Sequence, residues 1–530
     1  MTALRAALKE QALRRALIAY FAFTIAEEAV WLAVLLYAHD LGGASAVGAV
    51  AVAQLVPATL LAPVTATWLD RMPVHTGVTL AYAAAGAATV GLGLLLVVGA
   101  PVWTIVLAAV AQSAAVALGR PAYFAALPRL AEMPSHLVAA NAVTGSVESL
   151  GVMLGPLAVA VALTATGVEP LVVGLGLAVC LGAVLVATAR PPAHGLVQDR
   201  GDRDPEPFMR AATLGVREIR RIPGAFMLLV LVGLGWVLQG ALDVLGVSFA
   251  VDVLEAGDEG ASLLAAGNGL GLLVGSAAAA VVLIGVARLS RVVVVGSAVG
   301  GLVLAALGMT DTLVLALILL VISGIGRSFV YVAGVTLLHR NVDDRVMARV
   351  FGVQEAVLTG GMAIGAAAAP VAIALVGTQA AFAVTGAVLL VPALLALSRL
   401  RSLDRTGIVA AQRIALLRGL SLFTPLTTPD LERLALGSEW CPALVGQTLI
   451  VQGADGDCFY AVESGRYRVD IDGEPVADLG PGDYFGEIAL LRDVPRTASV
   501  ICTEAGEVVV MERDVFLTAM GRSRPRRDTP

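Results

Sequence analysis

Residues 14–38 read RRALIAYFAFTIAEEAVWLAVLLYA, an apolar and aromatic run interrupted only by Thr24, Glu27 and Glu28 and entered through Arg14-Arg15. At about 1.5 Å per residue, a helix of this length crosses the roughly 30 Å hydrocarbon core of a bilayer. The run is too long for a secretory signal, carries two carboxyls and is followed by many similar runs, so it reads as a retained membrane helix. Composition demands the same solvent. Of 530 residues 58% are hydrophobic and 14% charged, against about a quarter charged in soluble domains. The net charge of −6 is carried by connections and by the last part of the chain, and Lys9 is the only lysine.

Working outward, runs of about 20 apolar residues fall at 14–38, 46–69, 76–99, 102–126, 141–165 and 168–189, and again at 223–251, 261–286, 291–309, 312–336, 347–375 and 378–398. The polar stretch 190–222 separates the two sets. Arg5, Lys9, Arg14 and Arg15 precede the first run, Arg71 and Arg129 lie in the second and fourth connections, and Arg340, Arg345 and Arg349 in the tenth. The alternate connections, 39–45, 99–101, 166–170, 252–260, 309–312 and 377–379, contain neither Lys nor Arg. The positive-inside rule therefore predicts cytoplasmic termini, a cytoplasmic central loop and an even number of spans in a bacterial inner membrane. Arg120 and Arg327, Glu148 and Glu355, and Arg14 and Arg221 are each separated by 207 positions. A constant offset over functional-looking charges predicts a parallel repeat of two six-helix halves.

Two local patterns add to this architecture. The second connection reads Ala66-Thr67-Trp68-Leu69-Asp70-Arg71-Met72-Pro73, and the fifth span contains Gly151-Val152-Met153-Leu154-Gly155-Pro156. With the six-plus-six arrangement, these resemble the major facilitator superfamily over roughly 1–400. The Asp70-Arg71 pair matches that family's loop motif, although Ala66 replaces its leading glycine and the trailing basic residues are missing. The fifth-span segment matches the first half of a glycine-proline motif of the family's exporters and lacks the closing glycine pair. The resemblance implies a transporter, with export favoured, and Asp70 and Arg71 as a candidate ionic latch. Independently, small residues four apart permit close helix approach, and Pro156 frees a carbonyl and permits a bend.

Glu27 and Glu28 lie about fourteen residues into the first span, near the bilayer midplane, where a charge costs roughly 2.5–3.5 kcal/mol and calls for a reason. Neighbours on a helix point about 100° apart, so one of the two is expected to face a central cavity. Low dielectric favours the neutral form of a carboxyl, a property a proton-coupling group needs. The structural alternative is a hydrogen bond to Gln54, Gln112 or another polar residue of the spans. Arg120 with Glu148, and Arg327 with Glu355, are expected to pair about two turns from the cytoplasmic side, as gates or clamps. Asp243 and Asn268 are candidate cavity residues that the sequence leaves unoriented, with Asp243 the second choice for coupling.

Beyond Arg405 the composition becomes that of a soluble domain. A helical stretch from Ile414 and a second helix capped by Thr428-Pro429 precede short strands at 446–451, 457–462, 465–471 and 475–479. Then follow Phe485-Gly486-Glu487-Ile488-Ala489-Leu490-Leu491 and Pro495-Arg496-Thr497-Ala498-Ser499-Val500. From about 413 the chain resembles a cyclic-nucleotide-binding domain, and these two segments match its phosphate-binding cassette. The resemblance implies Gly486, Glu487, Ile488, Ala489, Leu490, Arg496, Thr497 and Ala498 as the site. Arg496 would fork onto the phosphate, Glu487 would accept from the ribose 2′-hydroxyl, and the Ala489 and Ala498 amides and Thr497 hydroxyl would complete the cradle. No lid helix fits the basic tail 521–530, which leaves cAMP and cGMP both open.

The expected fold is an α-helical twelve-span bundle plus a small α+β β-roll of jelly-roll type. Its boundaries are 1–189 and 223–400 for the halves, 190–222 and 401–412 for linkers, 413–520 for the roll and 521–530 for the tail. The expected function is a proton-coupled exporter of a small organic solute regulated by cAMP or cGMP. The alternative is a non-transporting receptor whose bundle communicates with the roll. Lipid, cyclic nucleotide and solute are the expected partners, with no nucleic acid, and the oligomeric state is left open. No catalytic nucleophile, phosphate loop or metal cluster is read, and Cys180, Cys441, Cys458 and Cys502 have neither metal-ligand nor disulfide spacing.

Overall fold

The computed structural model describes residues 10–69, 74–130, 134–189, 217, 219–220, 224–283, 286, 288–341, 344–400, 404–426, 430–431, 434–435 and 437–520. The chain divides into two compact units, Met1–Val281 with Ser290–Ser402, and Val282–Leu289 with Leu403–Pro530.

A segment surrounded by lipid must satisfy its backbone internally, which selects helices. Eleven described helical segments are long and apolar enough to cross a bilayer. The first is two spans in one: α1, Gln11–Leu69, turns at Gly42 and Gly43, whose dihedrals (φ −173, ψ 29 and φ 60, ψ −152) are non-helical. The described residues thus provide twelve candidate crossings. The others are α2 (Val74–Val97), α3 (Val102–Val116) continued by α4 (Gly119–Leu130), α5 (Pro134–Ala165), α6 (Val168–Ala187), α7 (Ala225–Ser248, with a π turn Phe249–Val253), α8 (Gly257–Val282), α9 (Leu289–Leu307), α10 (Leu313–Asn341), α11 (Asp344–Val376) and α12 (Thr378–Leu400).

Glycine contacts hold the helices together. A Cβ on Gly151 would lie 2.6 Å from Thr24 Oγ1, and one on Gly155 would lie 2.7 Å from Glu28 Cβ, so α5 crosses the first arm of α1 at backbone distance. In the second half α11 crosses α7 in the same way, with Gly361 facing the Gly233 carbonyl and Gly365 facing Val237. Between halves, Gly48 of α1 abuts Pro370 of α11, and Gly269 of α8 abuts Val152 and Met153 of α5. Spans two and eleven therefore meet, as do five and eight, and the six-span repeat exchanges these pairs.

One apolar core is shared by both halves. It includes Val30, Leu35 and Val47 of α1, Leu245 of α7, Leu264 of α8, Leu320 of α10, Ala369 of α11 and Phe382 of α12. These residues lie toward the end of the bundle where Gly42–Gly43 makes its turn, and there His39 Nε2 approaches Asp252 Oδ2 at 3.5 Å. A second core, with Leu17, Tyr20, Phe23, Tyr82 and Tyr123, belongs to the first half alone.

The second unit holds a helix α13 (Asp404–Gly419) and eight strands in two antiparallel sheets, ordered β1-β8-β3-β6 and β2-β7-β4-β5. The strands are β1 (Ser438–Ala443), β2 (Thr448–Ile450), β3 (Cys458–Val462), β4 (Arg466–Ile471), β5 (Glu474–Leu479), β6 (Tyr484–Phe485), β7 (Ser499–Glu504) and β8 (Gly506–Glu512). The unit also contains two short α-helices, α14 (Glu487–Arg492) and α15 (Arg513–Ala519), and a 3-10 turn at Ser421–Phe423. One core gathers Phe423, Phe459 and Phe516 under α13 and α15, and another gathers Ile450, Tyr467, Phe485 and Val500. Two expectations change. The stretch read as linker before Ile414 is helical from Asp404 onward, with that acidic residue in the first turn, where a helix dipole favours it. Strands β1, β6, β7 and β8 were not read; β1 contains Pro442 and lies at a sheet edge, where proline is tolerated. The cap at Thr428-Pro429 lies outside the described residues.

Replacing Gly155 by Leu should lower the unfolding midpoint of the detergent-solubilised protein by the equivalent of about 1–3 kcal/mol, the usual cost of overpacking. An unchanged midpoint in a thermal melt would show that α1 and α5 do not cross so closely.

Candidate functional site

In the roll, β6 ends at Gly486, whose φ of 90° is open to glycine and strained for other residues. A Cβ there would stand 2.8 Å from Arg496 NH1 and 3.0 Å from the Cys458 carbonyl. That turn starts α14 at Glu487, leaving first-turn amides, including that of Ala489, without partners inside the helix. Arg496 is 5% exposed. Its NH1 donates to the Gly486 carbonyl at 2.9 Å, and its NH2 donates to the Cys458 carbonyl at 2.8 Å and to Asp457 Oδ1 at 2.9 Å. Its backbone is clamped too, by Gly453 N–H on the Arg496 carbonyl and Arg496 N–H on that of Ala454, each at 2.8 Å. A guanidinium has five N–H donors; with three engaged, Nε–H and one N–H of NH1 are left for an anion.

Of the other cassette residues, Glu487 is half-buried, Ile488 and Thr497 are exposed, and Ala498 is partly buried. Ala489 is buried. Leu490 is buried among Phe459, Phe516 and Met511, so its side chain is core and only its backbone is available to a ligand. Asp457, the residue that steadies Arg496, was missed. Its signal was the turn Ala454-Asp455-Gly456-Asp457, whose Gly456 packs against Ala489.

The membrane unit gathers its charges differently from expectation. Arg120, at the start of α4, donates through Nε and NH2 to Glu27 Oε2 at 3.2 and 3.0 Å. Its NH1 stands 3.7 Å from Glu148 Oε1, and the Tyr20 hydroxyl donates to the same oxygen at 2.5 Å. The expected Arg120–Glu148 pair is thus the longer arm of a triad centred on Arg120. Gln54 and Gln112 are not the partners of the first-span carboxyls: Gln54 accepts from Ser113 at 2.8 Å, and Gln112 donates to Thr89 at 3.4 Å. Helix α4 begins after a break at Ala117 and Leu118, which brings Arg120 level with Glu27. In the second half Arg327 NH1 approaches Asn268 Oδ1 at 3.5 Å, and Asp243 is the acidic charge felt there. The Glu355 side chain, Asp70 and Arg71 lie outside the described residues.

Glu28, the neighbour of Glu27, faces a cavity of about 80 Å³ between the halves. Asp243, Gln239 and Asn268 line it as well, with Trp31, Phe249, Phe382 and aliphatic side chains. Asp243 accepts from Trp31 Nε1 at 3.1 Å, a bond between halves, and from Gln239 Nε2 at 2.6 Å. Trp31 and Gln239 were not singled out from sequence; each is four or fewer residues from a membrane carboxylate on its own helix.

A twelve-crossing bundle of two repeated halves defines a carrier-type membrane protein. The Major Facilitator Superfamily model matches residues 16–357, and the chain belongs to that superfamily of transporters. A model for the cyclic nucleotide-binding domain matches residues 444–523. Among individual proteins, the chain is 43% identical over 112 residues to the acetyltransferase Pat of Mycolicibacterium smegmatis, across 20% of this chain and 34% of that protein. It is 44% identical over 79 residues to the cAMP-dependent protein kinase regulatory subunit of Aspergillus fumigatus, across 14% of this chain and 19% of that one. It thus spans only a third or less of these two relatives. A co-crystal structure of the regulatory domain of Toxoplasma gondii PKA with cAMP aligns with a TM-score of 0.22 at 26% identity, covering 24% of this chain and 51% of that one.

Burial pushes the Glu487 carboxyl up from the ordinary carboxylate range, outweighing its own N–H and the Arg496 charge. A pKa higher folded than unfolded means a penalty that is absent below the unfolded value, grows as pH rises through the folded one, and is complete above it. Glu487→Gln should therefore raise the unfolding midpoint of the ligand-free roll at pH 7 relative to the parent chain and leave it unchanged at pH 3, as read by thermal melts at both pH values. A lower midpoint at pH 7 would contradict the stated cause.

Proposed function

We propose that the chain is a secondary transporter that exports a small organic solute against protons, and that a cyclic nucleotide bound in the roll regulates it. The observation that carries the transport reading is the single cavity into which Glu28 of one half and Asp243 of the other both face. A group from each half at a shared site lets one binding event bias the rocking of both, which is what alternating access requires. Support comes from the shared core that closes one end of the bundle and from the α1–α5 crossing, where Pro156 permits bending beside the cavity. The absence of Lys and Arg from the connections at that end supports an orientation with the roll and both ends of the chain in the cytoplasm of a bacterial cell.

For the roll, the reading rests on Arg496: a buried guanidinium with two N–H groups uncommitted, beside the open first turn of α14. The exocyclic oxygens of a cyclic phosphate would take those N–H groups and the amides of Ala489 and Ala498. The Thr497 hydroxyl would add a donor, and the Glu487 carboxylate would accept from the 2′-hydroxyl that a 3′,5′-cyclic phosphate leaves free. The relatives named for cAMP-dependent kinase regulation favour cAMP, and cGMP is the competing ligand.

Arg496→Ala should weaken cAMP or cGMP binding by about 2–4 kcal/mol in calorimetry on the purified chain, and Arg496→Lys, which keeps charge and loses the fork, should recover only part of it. Full affinity in the Ala variant would remove the cassette assignment. In proteoliposomes under a pH gradient, Glu28→Gln should abolish gradient-driven solute movement without unfolding the protein. Glu27→Gln should instead lower the unfolding midpoint, because it removes the nearer partner of Arg120. Nucleotide should change the solute flux several-fold, the reach of a coupling of about 1–3 kcal/mol; flux indifferent to bound nucleotide would make the roll a passenger.

A further inference from the structure

We propose that the transported solute is an organic cation, held between Glu28 and Asp243 with an apolar group against Trp31, Phe249 and Phe382, and that its binding displaces a proton from Glu28. The proposal rests on the transport reading and names its substrate class.

The cavity's charge inventory carries it. Every charged side chain lining the cavity is a carboxylate, Glu28 on α1 and Asp243 on α7, and its other polar groups are Gln239, Asn268 and the Trp31 indole. Among the described residues, no arginine, lysine or histidine lines it. The two nearby arginines lie off its walls and are committed, Arg120 to Glu27 and Glu148 and Arg327 to Asn268 beside the Asp243 charge. An anionic solute would meet two like charges with no guanidinium among the described lining residues to compensate, whereas a cation would find both carboxylates beside the aromatic side chains of Trp31, Phe249 and Phe382, residue types that attract ammonium groups. The remaining wall, Leu32, Leu35, Leu242 and Leu264 among others, suits an apolar substituent.

The two carboxylates are not equivalent. Asp243 accepts hydrogen bonds from the Trp31 indole at 3.1 Å and the Gln239 amide at 2.6 Å, so its carboxyl is tied in place. Glu28 makes no side-chain hydrogen bond or ion pair with another described residue. The charges facing it are Glu27 on its own helix, Arg120 on α4, Glu148 on α5 and Asp243 on α7; α8 presents only the neutral Asn268. With Arg120 claimed by Glu27 and Glu148, a proton and an organic cation are alternative means of neutralising Glu28, and they exclude one another. The exchange balances: the cation enters, the Glu28 O–H bond breaks, its electrons stay on the carboxylate, and one proton leaves to solvent.

The test uses the full-length protein in detergent and three probes of similar shape: benzyltrimethylammonium, benzyl alcohol and benzoate. Calorimetry in two buffers of different ionisation enthalpy counts protons. Benzyltrimethylammonium should bind best and release about one proton, and its affinity should rise by up to about tenfold per pH unit across the range where Glu28 is protonated. In Glu28→Gln, proton release and pH dependence should vanish and affinity should fall at least about tenfold; Asp243→Asn should weaken binding but keep proton release. Preference for benzoate or benzyl alcohol overturns the cation class and leaves the transport reading in place. Cation binding without proton release, or unaffected by Glu28→Gln, overturns the exchange. Silence from all three probes overturns the proposal, while gradient-driven flux remains the separate measure of transport itself.

Discussion

In a bilayer, helices gain nothing by hiding apolar surface from lipid, so close backbone packing must hold them together. Here glycines do that packing at several crossings, among them α1 with α5, α7 with α11, and the two contacts between halves through Gly48 and Gly269. The cavity exists beside those contacts, bounded by Pro156 and by residues on α7 and α8 that stand one turn away from the glycine seams. Close seams around a small, mostly apolar void leave two carboxyls, Glu28 and Asp243, on its wall.

A second constraint recurs in both units. A buried guanidinium must have acceptors on several of its N–H groups, and the two arginines that organise this protein satisfy that rule in opposite ways. Arg120 uses carboxylates, Glu27 and Glu148, and thereby spends charge to neutralise charge in the membrane. Arg496 uses mainly carbonyls, of Gly486 and Cys458, with one exposed carboxylate at Asp457. Its positive charge is oriented but only lightly compensated, a state suited to receiving an anion. The same side chain is thus paired with carboxylates in one setting and held mainly by carbonyls in the other.

How far these features could be read from sequence follows from how local their causes are. Span count and repeat were legible because apolar length and the 207-residue spacing of arginines and glutamates need no tertiary information. Gly151 and Gly155 were legible as a close-contact motif, although not that Thr24 and Glu28 would be the contacts. The rotation of α1 was not legible. Glu27 and Glu28 differ by one position, and only the placement of α4 after its break decides that Arg120 takes the first and the cavity the second. In the roll, Gly486 and Arg496 were legible through the resemblance of their segments to the phosphate-binding cassette. The role of Asp457 was hidden, because it depends on a loop folding back across nearly forty residues, and Leu490 belongs to the core for the same non-local reason.

The turn at Gly42–Gly43 has a mechanical consequence. The first two spans are arms joined at one tight turn: one arm bears Glu28, and the other bears Gly48 pressed on Pro370 of the opposite half. From Gly43 to Leu69 the second arm is roughly 39 Å long at about 1.5 Å per residue. A tilt of only about 5° at the apex would sweep its far end through roughly 3 Å, by the same helical length. A small displacement at the carboxylate is thereby geared up into a shift the width of a side chain at the opposite end of the bundle.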